Sequence, residues 1–413
     1  MKKSNTPNIF LKRLELPMMN NDVIFAAAGS GKTYSICSKA ISLAAETKKT
    51  ILLVTYTNEG VHSLETEYKK QNFGIIDSNV KITTWYSFVL SDFIKPYQCL
   101  LNLKYKHYKK EFSCEIPENF IKSIAFYQNE DTPKYFNKGH LQYFINGAQD
   151  IQKNKVSELA YKCNTDSSGK VINRLEEMYA HIFFDELQDY AGWDLELLLL
   201  LFSSAIPITC VGDYKQATFR TNNSLKNKQF RDDKIKDFFE AQQRKGICSI
   251  TYSKVTRRFN RDICDYINTI HGDENNQVCQ CCEMDFTDEN SGVYIIDPKY
   301  LSDYCNFYNP TILRYERDIQ IPFSHNCQVL NYGNSKGLTL DRVVIIPVGT
   351  VLPFIQKGTN ITSPQTKSKF YVACTRARHS VVFAIENFTE TDHFKCSVVE
   401  FAGKELPAWK YVK

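Results

Sequence analysis

Short runs of β-branched and aromatic residues alternate with stretches of helical periodicity along most of the chain. That is the pattern of strands covered by helices in parallel sheets. Strands are predicted at 22–26, 50–55, 80–84, 181–185 and 207–211, and a second set at 293–296, 311–313, 343–347 and 380–384. Between the third and fourth strands, residues 94–174 hold no run of comparable strength. They are rich in Lys, Tyr, Phe and Asn, as in Asn102-Leu-Lys-Tyr-Lys-His-Tyr-Lys-Lys110, and read as a largely helical insertion in one sheet. The stretch 271–291 is acidic and Asn-rich and reads as a loop. The halves divide near Ile247. The expected fold is therefore α/β, with one parallel-sheet domain over 1–246 that carries the insertion and a second over 247–413.

Composition narrows the class. A chain of 413 residues makes two or three domains at roughly 100–200 residues each. Apolar residues at 43 % and charged residues at 23 % exclude disordered, collagen-like and coiled-coil chains. The 14 cysteines would suit a disulfide framework only in a much shorter chain with an export signal. Lys2 and Lys3 mimic the start of such a signal, but Lys12, Arg13 and Glu15 interrupt the apolar core behind them. The longest uncharged apolar stretch, 197–211, contains Ser203, Ser204 and Pro207 and is too short to span a bilayer. A soluble, cytoplasmic protein with reduced thiols and no membrane partner is expected. The net charge of +5 permits a polyanionic partner without demanding one. Cys279-x-Cys281-Cys282, near Cys264 and His271, invites a zinc reading. Its spacing is not that of the usual tetrahedral pair, however, and no second pair follows. Scattered buried thiols account better for the cysteines.

The strongest local signal is Ala26-Ala-Ala-Gly-Ser-Gly-Lys-Thr33, which follows a predicted strand and opens a predicted helix. Ala28, Gly29, Ser30 and Gly31 would let successive backbone N–H groups face a triphosphate at the positive end of the helix dipole. Lys32 would neutralise the β- and γ-phosphates, and the Thr33 hydroxyl would ligate Mg²⁺. Such a cradle needs a metal-side acid and a base for water. His181-Ile-Phe-Phe-Asp185-Glu186-Leu-Gln188 supplies both at the end of an apolar strand, with Asp185 for the metal and Glu186 for the attacking water.

With these residues in place the chain resembles superfamily 1 helicases of the UvrD/Rep/PcrA type, and the matching segments run in order from residue 26 to residue 378. Val54-Thr-Tyr-Thr57-Asn58 resembles the segment whose Thr and Asn touch single-stranded DNA. Thr83-Thr-Trp85-Tyr-Ser-Phe88 resembles the one whose aromatic stacks on a base. Val211-Gly212-Asp213-Tyr-Lys-Gln216 resembles the motif whose Gln senses the γ-phosphate. Thr256-Arg257-Arg258-Phe259 resembles the first arginine motif, Ser335-Lys336-Gly337-Leu338 the fifth motif, and Phe370-Tyr-Val-Ala-Cys-Thr375-Arg376-Ala-Arg378 the sixth. The resemblance implies two RecA-like domains, ATP with Mg²⁺, and arginine fingers at Arg258 and Arg376 acting with Gln216. It also implies DNA contacts from Thr57, Asn58, Trp85 and Phe219, the last following Gln216. Nucleic-acid-stimulated ATP hydrolysis driving 3′–5′ translocation on single-stranded DNA is the expected function, extending to duplex unwinding.

Departures from the pattern qualify the expectation. No Trp follows Phe219, and 259–334 leaves no room for the family's large second insertion; both weigh against unwinding more than against hydrolysis. None of the first 32 residues is Gln, and Thr339 stands where the family holds the ribose with Glu. Tyr34 and Arg257 exchange the family's Arg and Tyr around the base, a sandwich that would survive the exchange. Other nucleoside triphosphates are therefore expected beside ATP, unless a residue within 5–20 replaces the missing Gln. The alternative reading is a DNA-sensing regulatory NTPase that binds single strands or DNA ends and licenses a partner nuclease. UvrD-like proteins without large accessory domains are encoded beside nucleases in some bacterial anti-phage systems, such as those of the Gabija type.

Overall fold

The computed structural model describes residues 20–126, 135–280 and 290–413. Two parallel-sheet units of RecA-like form make up the chain. In the first, six strands lie in the order Ser249–Ser253, Asn21–Ala26, Ile208–Gly212, Tyr179–Phe184, Thr50–Thr55 and Val80–Thr84, every neighbouring pair parallel. Alternation along one strand shows how it is covered. Ile51 and Leu53 of Thr50–Thr55 face Ile36, Cys37, Ala40 and Leu64 of the helices Lys32–Glu46 and Asn58–Gln71. Leu52 and Val54 face the opposite layer, in which Trp193–Phe202 and Ile235–Arg244 pack with the insertion. A strand buried on both faces reads as a continuous apolar run, as Thr50–Thr55 does.

The second sheet has seven strands, ordered Val329–Asn331, Thr311–Arg314, Leu340–Ile345, Ala377–Ala384, Gly292–Ile296, Lys404–Tyr411 and Phe394–Phe401. The first five are parallel, and the last two form an antiparallel hairpin on the edge. Phe401 pairs with Lys404 across a two-residue turn in which Ala402 and Gly403 both have positive φ, the geometry that matches strand twist.

All nine predicted strands are present, within three residues at either end. Three features differ from expectation. Ser249–Ser253 lies beyond the expected division at 246/247 yet pairs in register with Asp22–Ala26, so the first sheet closes with residues assigned to the second half. Among its described residues the insertion is mostly β and irregular up to residue 155, apart from short helical turns such as Leu141–Phe144, and its longer helices are Val156–Asp166 and Lys170–Met178. Its Lys- and Tyr-rich stretch is a hairpin, Leu103–His107 on Lys110–Cys114, held by Lys104–Glu111 at 3.0 Å. Both faces of this hairpin are mostly exposed, so it carries no apolar alternation to betray it. Within the 271–291 stretch, Val278–Cys279 pairs with Val255–Thr256. Cys281 and Cys282 lie outside the described residues, as does the 5–20 segment up to residue 19. Among the described residues the cysteines are free, no cluster suited to a metal appears, and no helix is long and apolar enough to cross a membrane.

Candidate functional site

Because the first sheet is wholly parallel, the carboxyl ends of its strands share one edge, where ligands of open α/β sheets lie. The segments that leave those ends are Ala27–Thr33, Thr57–Asn58, Trp85–Tyr86, Asp185–Glu186 and Asp213–Gln216.

The first segment makes a curled loop. Gly29 (φ 74°) and Gly31 (φ 84°) occupy the left-handed region, open to glycine without a Cβ penalty. Gly31 caps Lys32–Glu46 with no side-chain hydrogen bond, leaving first-turn N–H groups available to an anion. The Lys32 ammonium donates to the Ala26 and Ala27 carbonyls, 3.2 Å each. Burial lowers its pKa against the pull of Asp213, Glu186 and Asp185. The buried Ser30 hydroxyl has no hydrogen-bond partner. Tyr34, in the first turn, is 60 % exposed.

Asp185 is buried and anchored by its backbone N–H on the Val54 carbonyl at 2.8 Å. Burial, reinforced by the Glu186 carboxylate, raises its carboxyl to about 7. Glu186 stands at φ 54°. Burial would raise it too, but the ammonium groups of Lys336 and Lys32 outweigh burial and hold it at about 2. Lys336 Nζ comes from the second half and sits 3.3 Å from Glu186 Oε2 and 2.7 Å from Asp189 Oδ2. Burial of Asp189 raises its carboxyl to about 6 despite that pair. The Gln188 amide donates to Glu186 Oε2 and accepts from the Asp213 N–H at 2.9 Å.

The second half meets this edge through arginines. The Arg257 N–H donates to the Gly29 carbonyl at 2.9 Å and its guanidinium to the Ser30 carbonyl at 3.4 Å. Ala28 packs in the core of the second half, beside Phe259 and Ile263. Arg258 donates to the Thr375 carbonyl at 3.1 Å, and burial lowers its pKa. Arg376 is 1 % exposed and donates to Val372 O (2.9 Å), Thr375 Oγ1 (3.0 Å), Leu338 O (3.3 Å) and Gln216 Oε1 (3.3 Å). Burial, then the charge of Arg258, lowers it to about 9. Gln216 in turn donates to Asp213 Oδ2 at 2.9 Å. Gly337 (φ 85°) turns the chain just after Lys336.

The residues expected to hold a strand divide. Asn58 and Thr57 line a cleft of about 530 Å³ together with Tyr56, Thr84, Tyr86, Ser87, Ser123 and Phe126. The Thr57 hydroxyl is also engaged as the cap of Asn58–Gln71, accepting from the Gly60 N–H at 3.0 Å. Trp85 does not reach the cleft. It is 0 % exposed, packed edge-on against Tyr190 (4.9 Å) and Phe184 (5.8 Å). The short helix Trp85–Phe88, capped by Thr84, turns Trp85 into the core and the next residue, Tyr86, to the cleft wall. Phe219 is 46 % exposed and lies apart, with Lys336 Nζ 5.9 Å from its ring. Lys336, Tyr86 and Phe126 are the residues sequence reasoning passed over. The first two lie inside recognised segments, whereas Phe126 carries no local signal.

The family model of the UvrD/REP helicase N-terminal domain matches residues 12–236. No curated protein matches the chain. Among solved structures, the PRRSV helicase matches with a TM-score of 0.41 and 13 % identity, covering 94 % of this chain and 59 % of that one. Arterivirus nonstructural protein 10, a helicase in complex with DNA, matches with a TM-score of 0.44 and 11 % identity, covering 90 % and 62 %. The chain thus spans about three fifths of the length of these proteins.

Proposed function

Since the chain belongs to the UvrD/REP helicase N-terminal domain family, we propose that it hydrolyses ATP with Mg²⁺ and uses the cycle to move 3′ to 5′ along single-stranded DNA. One observation carries this reading: Arg258 and Arg376 come from the second half and lie at the edge that bears Lys32, Asp185 and Glu186, linked to it through Gln216. The donor set fits a metal-bound triphosphate. It holds an uncapped helix N-terminus, an unpartnered Ser30 hydroxyl and two guanidinium groups whose present partners are neutral oxygens. Thr33 and Asp185 would hold the metal, whose charge offsets that of the phosphates. Lys32 would exchange the Ala26 and Ala27 carbonyls for phosphate oxygens. Glu186 would orient and deprotonate water, and is a weak base while Lys336 stays beside it. Withdrawal of Lys336 as the halves shift would restore its basicity.

The test is phosphate release with and without oligo(dT), beside nucleotide binding. Lys32→Ala should lose nucleotide binding. Glu186→Gln should bind nucleotide and lose turnover, because the cradle remains and the base is gone. Hydrolysis by Glu186→Gln at the unmodified rate, or no response of the unmodified protein to a strand, would overturn the proposal. Displacement of a 3′-tailed duplex separates unwinding from translocation alone.

A further inference from the structure

We propose that the insertion supplies the base-stacking residue of the strand cleft, Phe126, together with a phosphate-side cation, Lys153, and that the ligand there is an unpaired nucleotide of a single strand. This deepens the functional reading above and rests on it.

Trp85 is shut in the core, so another ring must offer a face if bases stack at this edge. Tyr56 and Tyr86 form the inner wall, their ring centroids 5.6 Å apart. Tyr86 is fixed in place, its hydroxyl donating to the Thr221 carbonyl at 2.6 Å. Phe126 meets Tyr86 edge to face at 5.4 Å and 80° and is 50 % exposed. One side of its ring is thus buttressed while the rest borders the cleft. A rigid, half-open aromatic is what a stacked base needs.

Two remote segments are brought here by one small piece of structure. Ile124–Ala125 pairs in parallel with Ile151–Gln152, with Ala125 opposite Gln152. The next residues on each strand, Phe126 and Lys153, therefore leave the pair side by side. The Lys153 ammonium lies 5.8 Å from the Tyr56 ring and 5.9 Å from the Tyr86 ring. An aromatic wall with a cation beside it and hydroxyls of Thr57, Thr84, Ser87 and Ser123 around it matches a base, its phosphate and its sugar. A cleft of about 530 Å³ is of small-ligand size and does not admit a duplex, whose bases are paired and stacked on one another.

The experiment measures binding of fluorescein-labelled oligo(dT), an abasic strand of the same length, and oligo(rU) by anisotropy. Phe126→Ala should weaken oligo(dT) binding by about 5- to 150-fold, the range for one lost base stack. It should leave the abasic strand bound as the unmodified protein binds it, so the preference for bases collapses. Phe126→Trp should restore the preference. An equal loss on oligo(rU) shows the base alone is read, and a loss confined to oligo(dT) shows the sugar is read with it; both support the site. Oligo(dT) affinity unchanged in Phe126→Ala, or an equal loss on oligo(dT) and the abasic strand, overturns it. If the unmodified protein binds and responds to strands while Phe126→Ala does the same, this inference alone fails. If the unmodified protein binds no strand, the functional reading fails first.

Discussion

His181 sits in the strand Tyr179–Phe184 with Nε2 2.9 Å from the Thr209 hydroxyl. Lys39 donates to that same hydroxyl at 3.3 Å, which sets a cation close to the ring. Burial, then the charge of Lys39, lowers the imidazole to about 4. An unfolded histidine titrates near 6.5, so as pH falls the unfolded chain takes up this proton first. The stabilisation is complete above about 6.5, is lost between there and about 4, and changes no further below. The shift corresponds to roughly 3 kcal/mol. Burial lowers His271 in the same direction, to about 3. Urea unfolding as a function of pH should therefore show stability falling below about 6.5, with a shallower fall in His181→Gln. An acid limb of the same slope in that variant would show that this ring stays neutral for no energetic reason.

At the scale of elements, the loop before Lys32–Glu46 has two glycines that do different work. A Cβ on Gly31 would find only Tyr34 Cβ, 3.9 Å away, whereas one on Gly29 would meet Arg258 Cβ at 2.4 Å and Thr256 Oγ1 at 2.8 Å. Gly29 is thus where the second half lies against this loop. Gly29→Ala adds the left-handed backbone cost of about 1–2 kcal/mol to a clash with the root of a side chain, which cannot swing aside. A fall of at least about 2 °C in Tm is expected, with loss of hydrolysis while the first sheet stays folded by circular dichroism. An unchanged Tm and rate would mean the halves do not meet at this loop in solution. The hairpin Phe394–Phe401 with Lys404–Tyr411 teaches something different about elements. Its Ala-Gly turn lacks the Asn-Gly or Asp-Gly signal, and its exposed outer strand alternates weakly.

Across the whole molecule, charge is divided so that neither half is complete. The carboxylates Asp185, Glu186, Asp189 and Asp213 belong to the first sheet's edge, while Arg258, Lys336 and Arg376 arrive from the second half. The charge of Arg258 adds to burial in lowering Arg376, an arrangement that an inserted anion would relieve. Arg258→Ala should lower kcat by roughly a thousandfold, the scale of a lost arginine finger. Nucleotide affinity should survive, because the loop proposed to hold the phosphates belongs to the first half. Stopped-flow nucleotide binding beside steady-state turnover separates the two effects. A near-normal kcat would show that the second half does not act on the terminal phosphate.

The sequence alone determined the parallel-strand pattern, the glycine-curled loop before the first helix, the paired acids and the arginine-bearing segments. Each of these is a contiguous run whose chemistry follows from local backbone geometry: glycines that curl a loop, an apolar strand that ends in carboxylates. What only the tertiary structure decided depends on pairing between distant residues. Ser249–Ser253 joins the first sheet because Asp22–Ala26 leaves an edge open to it. Lys336 lands between Glu186 and Asp189 although some 150 residues separate them in the chain. Trp85 and Tyr86 are adjacent and both aromatic, so no local rule orders them; the rotation of a four-residue helix capped by Thr84 sends one to the core and the other to the cleft. Phe126 and Lys153 come together through the two-residue register of their strands, and register is a property of the partner strand as much as of either sequence.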